Sequence, residues 1–300
     1  KNPVIDYLVP RVGLELGKSY QGSLATFTGT RRPGKQVWVE NVATDHHLWY
    51  YSGNDLRTLG LWQFVIPTLT QVSVSMTPQF FLTVAELLAS TADKQMRTFI
   101  GITRPNDRLM ALWGVRYVIS DHPLTIGEQR LEMPVKLSDP PLYGSPIRLY
   151  ELAEPNLGNY TPTEILVAGE ARVTLDRMRQ SDFDGRREVI TDAPLVGAFV
   201  PARTASMTVI KGGLRLVASS AGESLLVLPV QYSHCWATRR KDKGKLTFFR
   251  ANMMQLGVRF SGEINVGIDH RFGPLWNSSC RRQDGRDAVR LKMKEARSRA

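Results

Sequence analysis

The sequence has few cysteines and no stretch of biased composition. Cys235 and Cys280 are the only two cysteines among 300 residues, and they form no CxxC pair. This scarcity excludes a disulfide-dense scaffold and a cysteine-rich zinc site, but it leaves open whether the two thiols are bonded or free. With 42% hydrophobic and 22% charged residues, the chain has the composition of a folded protein. Its length fits one large domain or two ordinary ones.

The sequence also lacks a convincing membrane-spanning segment. Residues 58–85 carry no charge and are long enough to cross a bilayer. That stretch contains Pro67 and Pro78 among many Thr, Ser and Gln residues, a composition unsuited to a single lipid-facing helix. No signal peptide is recognisable, and the chain starts at Lys1 without an initiator Met. We therefore expect the chain to be a portion of a longer protein.

Motifs of common catalytic centres are missing as well. The sequence has no GxSxG, HExxH or GxxxxGK[ST] motif and no GxGxxG after a strand. His234 precedes Cys235, but adjacent side chains rarely face each other, so a thiolate pair is not predicted. Asp182 and Asp184 indicate a surface turn. We predict no catalytic residue, no metal site and no cofactor in this chain.

Positive charge is concentrated at the end of the chain. The net charge is +11, and residues 281–300 hold eight basic against three acidic residues. Three interpretations are open: a solvated helix, contact with an anionic membrane surface, and nucleic-acid binding. The absence of zinc-finger spacing, an RRM motif or a basic zipper argues against nucleic acid as a partner. The residues considered for membrane contact are Arg281, Arg282, Arg286, Arg290, Lys292 and Lys294.

Aromatic and histidine side chains crowd one short region. The candidates there for carbohydrate binding are His46, His47, Trp49, Tyr50 and Trp62. Neighbouring histidines on a strand point to opposite faces, which makes them poor ligands for one metal ion. Flat aromatic rings with a polar edge are suited to stacking on sugars, but they also pack in protein cores. Both interpretations stay open.

Hydrophobic patterns predict mixed α/β structure in the first part of the chain. Thr77 is expected to cap a helix that begins at Pro78 and carries an apolar stripe to Leu88. A second helix over 107–113 is expected to end at Gly114. Strands are predicted at 37–42, 115–119, 147–152, 165–167 and 188–191, with a helix near 175–180.

After Pro194 the pattern changes to short strands separated by Gly-rich or charged turns. They are predicted at 206–210, 214–218, 224–230, 246–250, 257–260 and 263–270. In the last of them Ile264, Val266 and Ile268 share one face. The predicted fold class is α+β: a mixed α/β domain over 1–193, an antiparallel, jelly-roll-like β-sandwich over 194–280, and a basic helical tail over 281–300.

Four segments in order resemble the extracytoplasmic part of bacterial YfhO-like membrane proteins. They are Gly60–Phe80, Arg108–Asp121, Arg148–Thr191 and Ser224–Pro274. The most specific part is the run LWGVRYVI at 112–119. Trp236 after an apolar strand and Asn252 beyond a basic hairpin resemble the terminal sandwich of the family.

The resemblance implies the outer region of a polytopic membrane protein of the glycosyltransferase C superfamily. It implies a place at the periplasmic or extracellular face of the cytoplasmic membrane, in cell-envelope polysaccharide assembly. The implied partners are the membrane-embedded part of the parent protein, a glycan acceptor or lipid-linked sugar, and the anionic membrane surface. In that setting we expect a Cys235–Cys280 disulfide and no catalytic residue within this chain. The alternative is a freestanding secreted carbohydrate-active hydrolase or carbohydrate-binding protein.

Overall fold

A computed structural model describes most of the second half of the chain and parts of the first half. The described residues are 3–27, 50–52, 55–57, 69, 77–89, 102, 104–120, 124, 131–132, 148–239, 246–271 and 279–297. The chain divides into two compact units: unit 1 holds residues 1–15, 21–73 and 88–155, and unit 2 holds residues 16–20, 74–87 and 156–300. The predicted strand at 37–42 lies outside the described residues.

The described elements follow each other in mixed order. The helices are α1 (Pro3–Val12), α2 (Pro78–Leu88), α3 (Asp107–Leu112), α4 (Ala171–Arg179), α5 (Ser279–Arg290) and α6 (Met293–Arg297). The strands are β1 (Ser23–Phe27), β2 (Tyr50–Ser52), β3 (Asp55–Arg57), β4 (Val115–Ser120), β5 (Leu131–Glu132), β6 (Arg148–Glu151), β7 (Glu164–Val167), β8 (Glu188–Thr191), β9 (Thr204–Ile210), β10 (Gly213–Gln231), β11 (Trp236–Thr238), β12 (Thr247–Ala251) and β13 (Gln255–His270). The mixed α+β class predicted from the sequence is confirmed at this level.

Unit 1 contains a four-stranded sheet with the order β1-β4-β6-β5. The predicted strands at 115–119 and 147–152 are confirmed as β4 and β6, which pair antiparallel. Helix α3 precedes β4: the side chain of Asn106 accepts a hydrogen bond from the amide of Leu109 at 3.0 Å, and Gly114 beyond the helix has φ of 80°. A positive φ favours glycine, so the predicted helix end is confirmed.

Helix α2 begins where the sequence predicts. The hydroxyl of Thr77 accepts a hydrogen bond from the amide of Phe80 at 3.3 Å, which caps the first turn. The burial differs from the predicted single stripe, because polar residues of the helix are buried too. Thr83 is fully buried and Glu86 is only 4% exposed. The helix is thus surrounded on more sides than its apolar periodicity indicates.

Unit 2 is built on a seven-stranded sheet with the order β7-β8-β12-β13-β10-β9, to which β11 adds on β13. All of its strand pairs are antiparallel except β7 with β8. Strand β8 pairs with β12 at Thr191 and Ala251. The compositional change at residue 194 therefore falls inside one sheet, because strands from both sides of it share the ladder.

Two long strands replace four of the predicted short ones. The strands predicted at 214–218 and 224–230 are both part of β10, and those at 257–260 and 263–270 are both part of β13. The Gly-containing segment read as a turn is instead a register shift between Ser219 and Glu223, and pairing with β13 continues beyond it. A bulge absorbs the extra residues, so the chain need not reverse.

The core of unit 2 follows the predicted alternation. Ile264, Val266 and Ile268 are 5%, 0% and 0% exposed, and Leu216 on β10 pairs with Val266. The period of two therefore places these side chains on the inner face of the sheet. None of the described helices is both long and apolar enough to cross a bilayer.

Candidate functional site: an ionic cluster beneath a basic helix

Helix α5 buries carboxylates instead of large apolar side chains. Its two buried residues are Asp284 and Asp287, which are 3% and 8% exposed. A buried charge is tolerated only where it is paired and hydrogen-bonded. The attachment of α5 to unit 2 therefore depends on the polar partners of these two residues.

Asp287 has three partners. Its Oδ2 lies 2.7 Å from Nε2 of His234 and accepts a hydrogen bond from the Arg250 guanidinium, and its Oδ1 lies 3.3 Å from Nε of Arg290. Burial acts to raise the pKa of Asp287, but the hydrogen bonds from Arg250 and His234 outweigh it and hold the pKa below its ordinary value. The carboxylate is thus kept charged.

Arg250 connects α5 to the sheet. Its side chain is 4% exposed on β12, and it donates to Oδ2 of Asp192 at 3.1 Å as well as to Asp287. Its guanidinium lies over the ring of Tyr232, 4.7 Å from the centroid. Arg290 also pairs with Asp192. We call Asp192, His234, Arg250, Asp287 and Arg290 the ionic cluster.

Asp284 is fixed by a second set of hydrogen bonds. Its Oδ2 accepts from the hydroxyl of Ser233 at 2.6 Å, and its Oδ1 accepts from the amide of His234 at 2.9 Å. The amide of Cys235 in turn donates to the Ser233 hydroxyl at 3.1 Å. The turn that follows β10 is therefore bound to α5 through both its backbone and its side chains.

The residue types of a serine hydrolase are present here, but their geometry differs from a catalytic triad. The proton of Ser233 is directed to Asp284, not to an imidazole. Both nitrogens of His234 have partners, since Nε2 faces Asp287 and Nδ1 lies 3.3 Å from the Tyr232 hydroxyl. A triad requires a histidine that accepts the serine proton. Burial raises the pKa of Tyr232 to about 12, so the phenol is neutral at physiological pH.

The structure brings Cys235 and Cys280 together in a disulfide, with their Cα atoms 5.1 Å apart. Cys280 lies in the first turn of α5, and Cys235 follows His234 directly. The covalent bond and the ionic cluster thus hold the same helix to the same turn of the sheet.

The six basic residues considered for membrane contact fall into two groups. Arg281, Arg290 and Lys292 pair with Asp284, Asp192 and Glu170 respectively. Arg282, Arg286 and Lys294 are exposed and form no ion pair with any residue that the structure describes. Half of the predicted set therefore has its charge turned toward acids of the protein.

The predicted aromatic site is not described. His46, His47, Trp49 and Trp62 lie outside the described residues, and of Tyr50 only the backbone in β2 is described. Carbohydrate binding by these residues stays a prediction. Asp192, Arg250 and Asp287, which sequence reasoning missed, are far apart in the chain. The one available signal was the pair Asp284 and Asp287, one helical turn apart in an otherwise basic segment.

Within the described part of the chain, no three or more His, Cys, Asp or Glu residues are grouped so that they could hold a metal ion. The carboxylates of the ionic cluster face arginines instead. Comparison of the chain with protein-family models, curated proteins and solved structures finds no match.

Proposed function

We propose that the chain is a non-catalytic, extracytoplasmic region of a polytopic membrane protein that resembles glycosyltransferases. In this proposal it lies on the periplasmic or extracellular face of the cytoplasmic membrane and assists glycan acceptor binding in cell-envelope polysaccharide assembly. The observation that carries the proposal is the Cys235–Cys280 disulfide. Disulfides form and persist in oxidising compartments and are rare in the cytosol.

The ionic cluster supports a structural role for the part of unit 2 that carries it. Ser233 is hydrogen-bonded to Asp284, and His234 is hydrogen-bonded to Asp287. Both contacts hold α5 against the turn after β10. A serine nucleophile needs a neighbouring histidine base in a productive geometry, and the hydroxyl of Ser233 donates instead to the carboxylate of Asp284. The proposal therefore assigns chemistry to the membrane-embedded part of the parent protein.

We also propose that residues 194–280 fold as an antiparallel β-sandwich of jelly-roll type. Support comes from β10 and β13, which span 19 and 16 residues and pair with different neighbours along their length. Register shifts interrupt β10 after Ser219 and after Leu228. Such irregularities allow a long strand to bend from one layer into a second.

Calorimetric titration of the full chain with cell-envelope oligosaccharides tests the glycan part of the proposal. We expect saturable heat, and a loss of that heat in a variant with Trp49→Ala and Trp62→Ala. Trp113→Phe serves as the control, because Trp113 is buried at 3% exposure and offers no face to a sugar. Absence of heat with every oligosaccharide would leave only a scaffolding role.

Two further measurements test whether the parent protein is polytopic and whether this chain is non-catalytic. Several uncharged apolar runs of about 18 residues encoded upstream of Lys1 would support a polytopic parent. A lone signal peptide there would overturn it in favour of a secreted protein. Release of sugars from polysaccharide by the purified chain would overturn the non-catalytic assignment.

A further inference from the structure

Unit 2 exposes a continuous apolar segment between β8 and β9. Residues 193–202, with the sequence APLVGAFVPA, contain no polar or charged side chain. Six of these ten residues are exposed, and Val196 in the first half of the segment is 82% exposed. We call this segment the apolar loop. Contiguous exposed apolar surface marks an interaction site more often than chance.

The apolar loop is held firmly at its base. The amide of Val200 donates to the carbonyl of Glu223 at 2.9 Å, and the hydroxyl of Ser224 donates to the carbonyl of Val200. The ring of Phe199 lies beneath the Arg259 guanidinium, 5.4 Å from centroid to Cζ. The second half of the loop is thus bound to β10 and β13, while Val196 is directed to solvent.

Helix α5 lies next to the start of the apolar loop. Asp192, the residue before the loop, pairs with Arg290 at the end of α5. Along the helix the charges are sorted, since Asp284 and Asp287 are buried whereas Arg282 and Arg286 are exposed. The outward side therefore carries positive charge.

An exposed apolar residue accompanies these arginines. Val289 is 79% exposed and lies one turn after Arg286, on the same side of α5. Apolar side chains beside outward cations are the composition of surfaces that bind at a lipid interface. An anionic headgroup layer complements this charge, and the acyl boundary complements the uncharged loop.

We propose that the apolar loop inserts into the interfacial layer of an anionic bilayer while Arg282 and Arg286 of α5 bind its headgroups. The proposal rests on the proposed function only for the presence of a membrane beside this region. The loop has no polar or charged side chain whose desolvation would oppose entry into that layer.

An environment-sensitive fluorophore at position 196 tests the insertion. Both native cysteines are in the disulfide, so Val196→Cys in the full chain can be labelled selectively. With phosphatidylcholine vesicles that contain phosphatidylglycerol, we expect a blue shift and quenching by spin-labelled lipid. Leu16→Cys is the matched control, because Leu16 is an exposed apolar residue of unit 2 at 64% and lies outside the loop.

Co-sedimentation with the same vesicles tests both parts of the surface. Val196→Asp should weaken binding about tenfold, whereas Leu16→Asp, with the same change of charge, should leave it within about twofold. The double variant Arg282→Gln with Arg286→Gln should lose at least about tenfold at low salt. Its control is Lys18→Gln with Lys211→Gln, which removes two exposed positive charges elsewhere in unit 2.

Several results would overturn the inference. They are a wild-type chain that binds no anionic vesicle, equal binding by Val196→Asp and Leu16→Asp, and a label at position 196 that is silent on vesicles. If the label responds only to protein concentration, the apolar loop binds a second copy of the chain and not a lipid bilayer. None of these results bears on the glycan titration, so the two proposals fail separately.

Discussion

Nε2 of His234 lies 2.7 Å from Oδ2 of Asp287, although 53 positions separate the two residues in the sequence. His234 belongs to the turn after β10, and Asp287 belongs to the inward side of α5. A surface helix usually packs on a protein through an apolar stripe. Here the contact is made by a carboxylate that also binds Arg250, so the attachment depends on charge and geometry more than on apolar area.

This mode of attachment has a physical consequence. Burying charges is unfavourable unless every one of them is paired, so loss of a single partner leaves the others uncompensated. An apolar contact of similar area would weaken gradually with each truncation. We therefore expect unit 2 to be sensitive to single changes in the ionic cluster.

Arg250→Met should lower the free energy of unfolding by about 3 to 5 kcal/mol, because it leaves Asp192 and Asp287 without their shared buried cation. Chemical denaturation of wild type and variant measures the loss. Arg187→Met is the matched control: it breaks the pair of Arg187 with Glu164, whose side chains are 72% and 57% exposed. That change should have a much smaller effect, because solvent screens an exposed ion pair, and equal effects in the two variants would contradict a buried network.

His270 should make unit 2 less stable in mild acid. Burial disfavours the charged imidazole and lowers its pKa below the ordinary value of 6.5. The positive charge of Arg281 lowers the pKa further. Below pH 6.5 the unfolded chain therefore takes up the proton before the folded chain does, so the free energy of unfolding falls as the pH drops. The decline ends when the folded imidazole is itself protonated.

Urea unfolding at about pH 7.5 and about pH 5.5 measures this decline, because the interval includes the ordinary pKa of histidine. His270→Gln should show a smaller difference between the two pH values than wild type. Asp287 does not affect this comparison. Its pKa is held below 3.8, so the stabilisation that its ion pairs give to the folded state is lost only in stronger acid. An unchanged pH dependence in His270→Gln would assign the decline to other groups.

Reduction of the Cys235–Cys280 disulfide should destabilise unit 2. The bond closes a loop with a sequence separation of 45, for which the chain-entropy relation gives about 4 kcal/mol. Denaturation with and without reductant measures the difference, and Cys235→Ala with Cys280→Ala should show no response to reductant. Thiol titration of the unfolded chain should give no free thiol before reduction, and equal counts before and after would contradict the bond.

Asn252 should be replaceable by glycine at a smaller loss than by alanine. Its φ is 49°, and its side-chain oxygen accepts a hydrogen bond from the amide of Ile190 at 3.0 Å. Both substitutions leave that buried amide without its partner, a loss of about 1 to 3 kcal/mol. Alanine adds about 1 kcal/mol because its Cβ disfavours the left-handed conformation. Equal stabilities of the two variants would show that the backbone relaxes at this position.

Local patterns predicted a good part of the fold. The cap at Thr77, the end of α3 at Gly114 and the alternating face of Ile264, Val266 and Ile268 are each confirmed. Each depends on neighbouring residues and on the helix or strand period, which a sequence displays directly. The joining of four predicted strands into β10 and β13 was missed, because a bulge and a turn share the same small residues.

The sequence by itself determined the element types, the basic character of the tail and the scarcity of cysteine. Tertiary structure alone decided which charges meet, since Asp192, Arg250 and Asp287 become neighbours only when β8, β12 and α5 assemble. It also decided which cations of α5 are neutralised and which face solvent, and that the apolar loop is exposed instead of buried. Hydrophobicity and charge are properties of a single residue. Burial and ion pairing depend on which other elements pack against that residue in the folded chain.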